Sequence, residues 1–279
     1  MNAKKTLAAV LVAAALLGPA GAAAQAERDR WKVSILPYLW FPAVDSTLRY
    51  DTANGSQTVN VDVDADTLIG ALNFAAMVAG EARKGKWLVA TDIFYTDLGS
   101  ESSDVTSVDF NPGSGPINVA TTQLNSGTDT EIKMTIWSLT GGYNVIDEAG
   151  GTLDVFGGFR YLYLETRTDW QLTATVTGPP GAPVFSRSGT LKGTDNIWDA
   201  IAGVRGRLRV TDTWFVPYYL DAGAGDSDFT WQATLGAGYA FKWGDLIAAY
   251  RYLSYDQGEG DLVQELSLGG FGLGANFHF

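Results

Sequence analysis

The sequence predicts an all-β protein: a transmembrane, up-and-down antiparallel β-barrel of about ten strands, preceded by a signal peptide. Three observations predict it. From 229 to 243 the odd positions read Phe, Trp, Ala, Leu, Ala, Tyr, Phe, Trp, while the even positions read Thr, Gln, Thr, Gly, Gly, Ala, Lys. Successive strand side chains point to opposite faces, so this is a strand with one apolar side. The last stretch, 262–279, alternates in the same way. Phe271, Leu273, Ala275, Phe277 and Phe279 share one face, and Gly270, Gly272, Gly274, Asn276 and His278 share the other. Finally, short connections alternate with mostly longer ones along the chain, which fits a barrel whose termini lie on one side of a membrane.

The first 26 residues set the expected compartment. Lys4 and Lys5 precede an apolar run at 7–17 and a small-residue stretch at 19–26. That is the pattern of a secretory signal peptide, with a run too short to span a membrane as a helix. Ala24-Gln25-Ala26 fits the cleavage rule, with cleavage after Ala24 as the near alternative, and residues 27–279 form the barrel domain. No Cys is present, which removes disulfides, thiol catalysis and Cys-based metal sites. The 33 Gly and 34 aromatic residues suit densely packed β structure. Without Lys4 and Lys5 the chain carries 17 basic against 31 acidic side chains, a net charge of −14, which argues against a nucleic-acid partner. Lipid-facing and lumen-facing residues cancel to a mean hydropathy near zero, as a barrel requires.

Residues 31–41 form the first predicted strand, with Trp31, Val33, Ile35, Leu39 and Phe41 on one face and a kink expected at Pro37. Two polar segments, 44–50 and 57–63, flank Asn54-Gly55, a hairpin turn signal, and are read as a hairpin extending beyond the membrane. Asp66 is expected to cap a short helix over 67–72. Strands then follow at 72–83 and 87–96, joined by the turn 83–86. After a polar stretch at 99–127 come strands at 131–146 and 152–168, joined by 147–151. A Pro/Gly-rich loop at 178–189 leads to 197–210, the turn 211–213 to 214–224, and 229–243 ends in a turn at 244–245 before 246–255 and the final strand. That makes ten strands; eight or twelve stay open, because 99–127 has room for another hairpin.

If the aromatic face of each strand meets lipid, parity assigns the lumen. It receives Lys32, Glu81, Arg83, Asp92, Arg160, Asp199, Arg205, Arg207, Arg209, Asp221 and Arg251, since charges facing lipid near the midplane cost a few kcal/mol each. Two arrangements fit these residues: a salt-bridge network filling a narrow barrel, or an Arg-lined constriction that passes small anions. Acids and bases are nearly balanced, which favours the filled lumen, since a barrel of about eight strands is just wide enough for side chains to fill. Gly270, Gly272 and Gly274 are expected to leave room for bulky lumen charges opposite.

The outer-membrane enzyme families that such a barrel resembles are omptin proteases, outer-membrane phospholipase, and the lipid A deacylase and palmitoyl transferase. As families they use a His at or near the outer leaflet. The one His here, His278, is expected at the periplasmic end, out of reach of such a site. No enzymatic activity and no cofactor are therefore expected. Asp62, Asp64 and Asp66 are oxygen-rich but lack the Gly and distal Glu of an EF-hand loop, and they read as a solvated loop with three Asp on one strand face. Gly270 to Gly274 carries no helix after it, so its glycine run is no nucleotide motif.

Pro37-Tyr38-Leu39-Trp40, Glu81-Ala82-Arg83, Gly203-Val204-Arg205-Gly206, Tyr250-Arg251-Tyr252-Leu253 and the terminal Asn276-Phe277-His278-Phe279 occur in that order. In this the chain resembles a group of proteobacterial outer-membrane barrel proteins without an assigned substrate. The resemblance implies location and fold. It further implies outer-membrane lipid and lipopolysaccharide as surroundings, periplasmic termini, and recognition of the last strand, with Phe277 and Phe279, by the barrel assembly machinery.

Overall fold

A two-residue turn at Gly85-Lys86 joins the first pair of strands that crosses the barrel, and Gly85 adopts φ 60, a backbone region glycine enters without steric cost. The computed structural model describes residues 30–52, 55–100, 121–176, 184–257 and 263–279. The expected signal peptide and the middle of the 99–127 stretch lie outside them. Eleven strands and one helix follow in order: β1 (Lys32–Thr52), β2 (Gly55–Val63), α1 (Ala65–Gly70), β3 (Leu72–Lys84), β4 (Trp87–Ser100), β5 (Thr121–Glu148), β6 (Gly151–Val176), β7 (Val184–Arg209), β8 (Trp214–Gly225), β9 (Phe229–Ala240), β10 (Gly244–Asp256) and β11 (Val263–His278). Every neighbour is antiparallel. β11 pairs with β1 and closes the ring, while β2 pairs only with the upper part of β1. The barrel therefore has ten strands, with the 44–63 hairpin as an extension.

Register gives its dimensions. A trace from Ser34 across the hydrogen-bonded partners Glu81, Ala90, Thr140, Gly158, Ile201, Gly223, Thr230, Tyr255 and Leu266 returns to β1 at Ser46, a stagger of 12 residues. With a rise of about 3.3 Å per residue and about 4.8 Å between strands, the strands tilt by about 40° around a backbone radius of about 10 Å. Side chains from opposite walls meet across such a lumen.

The outer wall is apolar. Aromatic pairs ring the end that bears the short turns, including Trp87–Tyr143, Trp214–Tyr239 and Trp243–Phe277, with centroids 5.0, 5.1 and 5.3 Å apart. A second ring holds Trp137–Phe159, Tyr161–Trp198 and Trp231–Tyr252. Exposed Val89, Leu220, Leu235 and Leu273 lie between them. Trp87 and Tyr95 are eight residues apart on β4, a height of about 20 Å at this tilt. Among the described residues no helix is long and apolar enough to cross a membrane.

Several elements differ from the sequence expectation. β9 ends at Ala240, and the turn is Phe241-Lys242-Trp243, closed by the Phe241 N–H donating to the Gly244 carbonyl at 2.7 Å. Alternation ran on past the strand because the rim aromatics Phe241 and Trp243 keep the outward parity. β5, β6 and β7 run 28, 26 and 26 residues, far longer than read, because their outer parts are too polar to show alternation. The described ladder of β5 to β4 ends at Ser100–Thr130, and that of β7 to β8 at Asp199–Gly225, so these three strands continue together beyond the ring. α1 starts two residues earlier than expected, with Asp64 at the N-cap position and Asp66 in the first turn. β2 ends at Val63, leaving Asp64 and Asp66 outside it, so the three Asp do not share a strand face. Pro37 inserts no residue into the register to β11. It falls at the last pair of the β1–β3 ladder, Pro37–Val78, where a missing N–H interrupts least.

Candidate functional site in the barrel lumen

Inward parity holds on every strand of the ring, and it layers the lumen. In the half away from the turns, β1, β3, β4, β5, β6, β7, β10 and β11 send in a closed hydrophobic cluster that includes Trp40, Met77, Phe94, Ile136, Leu162, Ile197, Leu253 and Leu268. Leu253 and Leu268 are fully buried. The sequence expectation sends aromatics to lipid and charged, polar and small residues to the lumen. Trp40 instead points inward, its Nε1–H donating to the Gly270 carbonyl at 3.2 Å. The even residues of β1 face in by the same parity that turns Val33 and Ile35 outward, which was the available signal.

Three charged groups lie below and beside this cluster. Arg160 on β6 and Asp221 on β8 pair over the intervening β7 on the lumen side, and Arg160 Nη1 also donates to Thr230 at 3.2 Å. Arg251 donates to Asp92 at 2.8 Å and to the Gln232 side-chain oxygen at 2.9 Å, while the Tyr38 hydroxyl donates to Asp92 at 2.7 Å. The Arg251 guanidinium lies 4.6 Å from the Trp40 ring centre, a cation–π contact. Nearer the turns, Arg83 grips Asp154 with both Nη groups at 3.0 and 2.6 Å and donates to Glu81 at 2.9 Å. Arg205 pairs with the other Glu81 oxygen, and Asn144 donates to Asp154 at 2.8 Å.

The network thus joins eight of the predicted lumen residues into separate groups: Glu81, Arg83 and Arg205; Asp92 and Arg251; Arg160 and Asp221; and Asp199, which accepts from Ser227 N–H and Oγ at 2.9 Å each and so holds the β8–β9 turn. Arg207 lies 3.8 Å from Asp245, and Arg209 donates to the Ala149 carbonyl at the rim, outside the network. Asp154, Tyr38, Gln232 and Asp245 were missed. Asp154 shares Arg160's parity six residues away and was legible; Asp245 had been read as a turn residue. The room at Gly272 and Gly274 is taken by Trp40 and Tyr38, directly opposite on β1, and not by charges.

Among the basic side chains exposure rises toward the turns, while their partners Asp154 and Asp245 stay buried. The side chain of Arg160 is 1% exposed, Arg205 20%, Arg207 43% and His278 49%. The lumen therefore opens at the end that carries the turns and both ends of the ring, and a cavity of about 310 Å³ lies there beneath Trp40, Arg251 and Gln232. His278 lies at that rim, 3.1 Å from Asp245. Phe277 stacks near Trp243, and the Phe279 backbone exchanges hydrogen bonds with Val33. Asp64 and Asp66 are exposed, the Asp62 side chain lies outside the described residues, and no group of metal-ligating side chains occurs among the described residues.

No family model and no curated protein matches the chain. Solved structures align with it over most of its length. The outer membrane protease OmpT from Escherichia coli is 10% identical, covering 90% of this chain and 97% of that one, with a TM-score of 0.46. The translocator domain of the autotransporter NalP from Neisseria meningitidis is 14% identical over 93% and 96%, with a TM-score of 0.39. Neisserial surface protein A is 11% identical over 89% and 97%, with a TM-score of 0.32.

Proposed function

We propose that the chain is an integral outer-membrane barrel with its short turns and termini in the periplasm, a lumen sealed against passage, and a structural or cell-surface role without enzymatic activity. The hydrophobic cluster around Trp40, Leu253 and Leu268 carries this reading, because it spans the lumen where a continuous water path would have to run. The apolar outer wall between two aromatic rings supports immersion in lipid, with lipopolysaccharide around the outer ring. The long β5–β6–β7 sheet supports a role outside the membrane, because it continues beyond the ring on the side away from the turns. Assembly through the last strand, with Phe277 and Phe279, belongs to the same proposal.

Planar bilayers test it. Purified barrel is expected to add no stable conductance. Discrete channel steps that weaken with Arg205→Ala or Arg207→Ala would establish the porin-like alternative instead. Unchanged lipid A and phospholipid profiles on overexpression are the expected result for a barrel without lipid-modifying activity.

A further inference from the structure

We infer that the blind cavity at the turn end of the lumen is a binding pocket for a small, net-neutral, hydroxyl-rich molecule of about monosaccharide size. Its volume, about 310 Å³, lies at the lower end of the range for small-molecule sites. Its ceiling is closed by Trp40, Arg251 and Gln232, so a ligand enters and leaves from one side only. Small side chains keep it open: Ala79, Ala90 and Ala249 line it from three different strands.

Charge compensation sets the class of ligand. Each cation on the wall already has its carboxylate: Arg251 holds Asp92, and Arg205 holds Glu81. A phosphate or carboxylate ligand would have to displace one of these acids, and an ammonium would have to displace one of the arginines. A neutral hydroxyl displaces neither, because a charge-paired carboxylate still has lone pairs to accept an O–H. The wall also offers Thr140 and the Gln232 amide. The lining thus carries both donors and acceptors, which suits a molecule that carries both on each hydroxyl.

The pocket does not depend on the sealed-lumen reading beyond its closed ceiling, and calorimetry on the full barrel in detergent tests it separately from conductance. D-glucose and sucrose are the neutral probes, with glucose 6-phosphate and glucosamine as their charged counterparts. Saturable binding of at least one neutral sugar is expected, at least tenfold tighter than either charged probe. Ala249→Phe and Ala79→Phe, on different walls, are each expected to weaken it at least tenfold in protein that keeps folded-barrel mobility on unheated gels. No saturable binding of either neutral sugar at millimolar concentration overturns the proposal. So does equal binding of charged and neutral probes, which is read on the unsubstituted barrel and needs no variant. Undiminished binding in a folded filled variant overturns it as well.

Discussion

Arg160 and Asp221 are both almost fully buried, so each is tolerable in the lumen only because of the other. Asp221→Ala leaves a buried guanidinium with Thr230 as its remaining named partner, and a loss of about 3–5 kcal/mol is expected in urea unfolding. Replacing both, as Arg160→Met with Asp221→Leu, is expected to cost much less, because no charge is then stranded. An equal loss in the single and double variants would show that packing and not charge holds this place. These residues were legible as inward from parity alone. Their pairing was not, because it depends on the registers of β6 and β8 against the β7 between them, which no single strand carries. Tyr38 shows the same limit: its parity was readable, but its bond to Asp92 needs β1 and β4 to sit at one height.

At the scale of elements, the seam between β1 and β3 is the weakest in the ring. It holds six residue pairs, Lys32–Pro37 with Val78–Arg83, while β10 and β11 hold thirteen. Above Pro37 the Trp40 N–H donates to the Met77 sulfur at 3.1 Å, a weak acceptor standing where a carbonyl would be. Hydrogen exchange read by mass spectrometry is expected to be faster in peptides covering 72–77 than in those covering 245–255, since local opening follows lost pairing. Equal protection would mean that the hydrophobic cluster, and not the ladder, holds the seam. The last strand makes the opposite case, with pairing on both sides from β10 and β1. Phe277→Ser is expected to lower the amount of barrel recovered in the outer membrane while leaving refolding in detergent intact, as read by fractionation and unheated-gel mobility. Loss in both assays would make Phe277 a packing residue next to Trp243 and remove its role as an assembly signal.

The whole molecule is a ring that must present an apolar wall outward and balance its charges inward. Leu235, outward between the two aromatic rings, tests the lipid-facing half of that statement. Leu235→Arg is expected to cost about 2–4 kcal/mol in lipid bilayers, whereas Val210→Arg at the rim is expected to cost about 0–1 kcal/mol. Equal costs at the two depths would argue against a bilayer around this wall. Sequence by itself determined the strand alternation and the direction of nearly every charged side chain, because each follows from a period of two within one strand, while it left the number of crossings at eight, ten or twelve until the closed ring of ten decided it. It misjudged β9 and the outer parts of β5 to β7, where outward parity continued into a turn or polar residues hid it. Only the tertiary structure decided what the lumen contains. A stagger of 12 residues around ten strands sets which inward residues share a height, and so which charges meet. The same alignment gathers Trp40, Leu253 and Leu268 into a seal and leaves a pocket beneath it, because only closure of the ring brings strands far apart in sequence to one level.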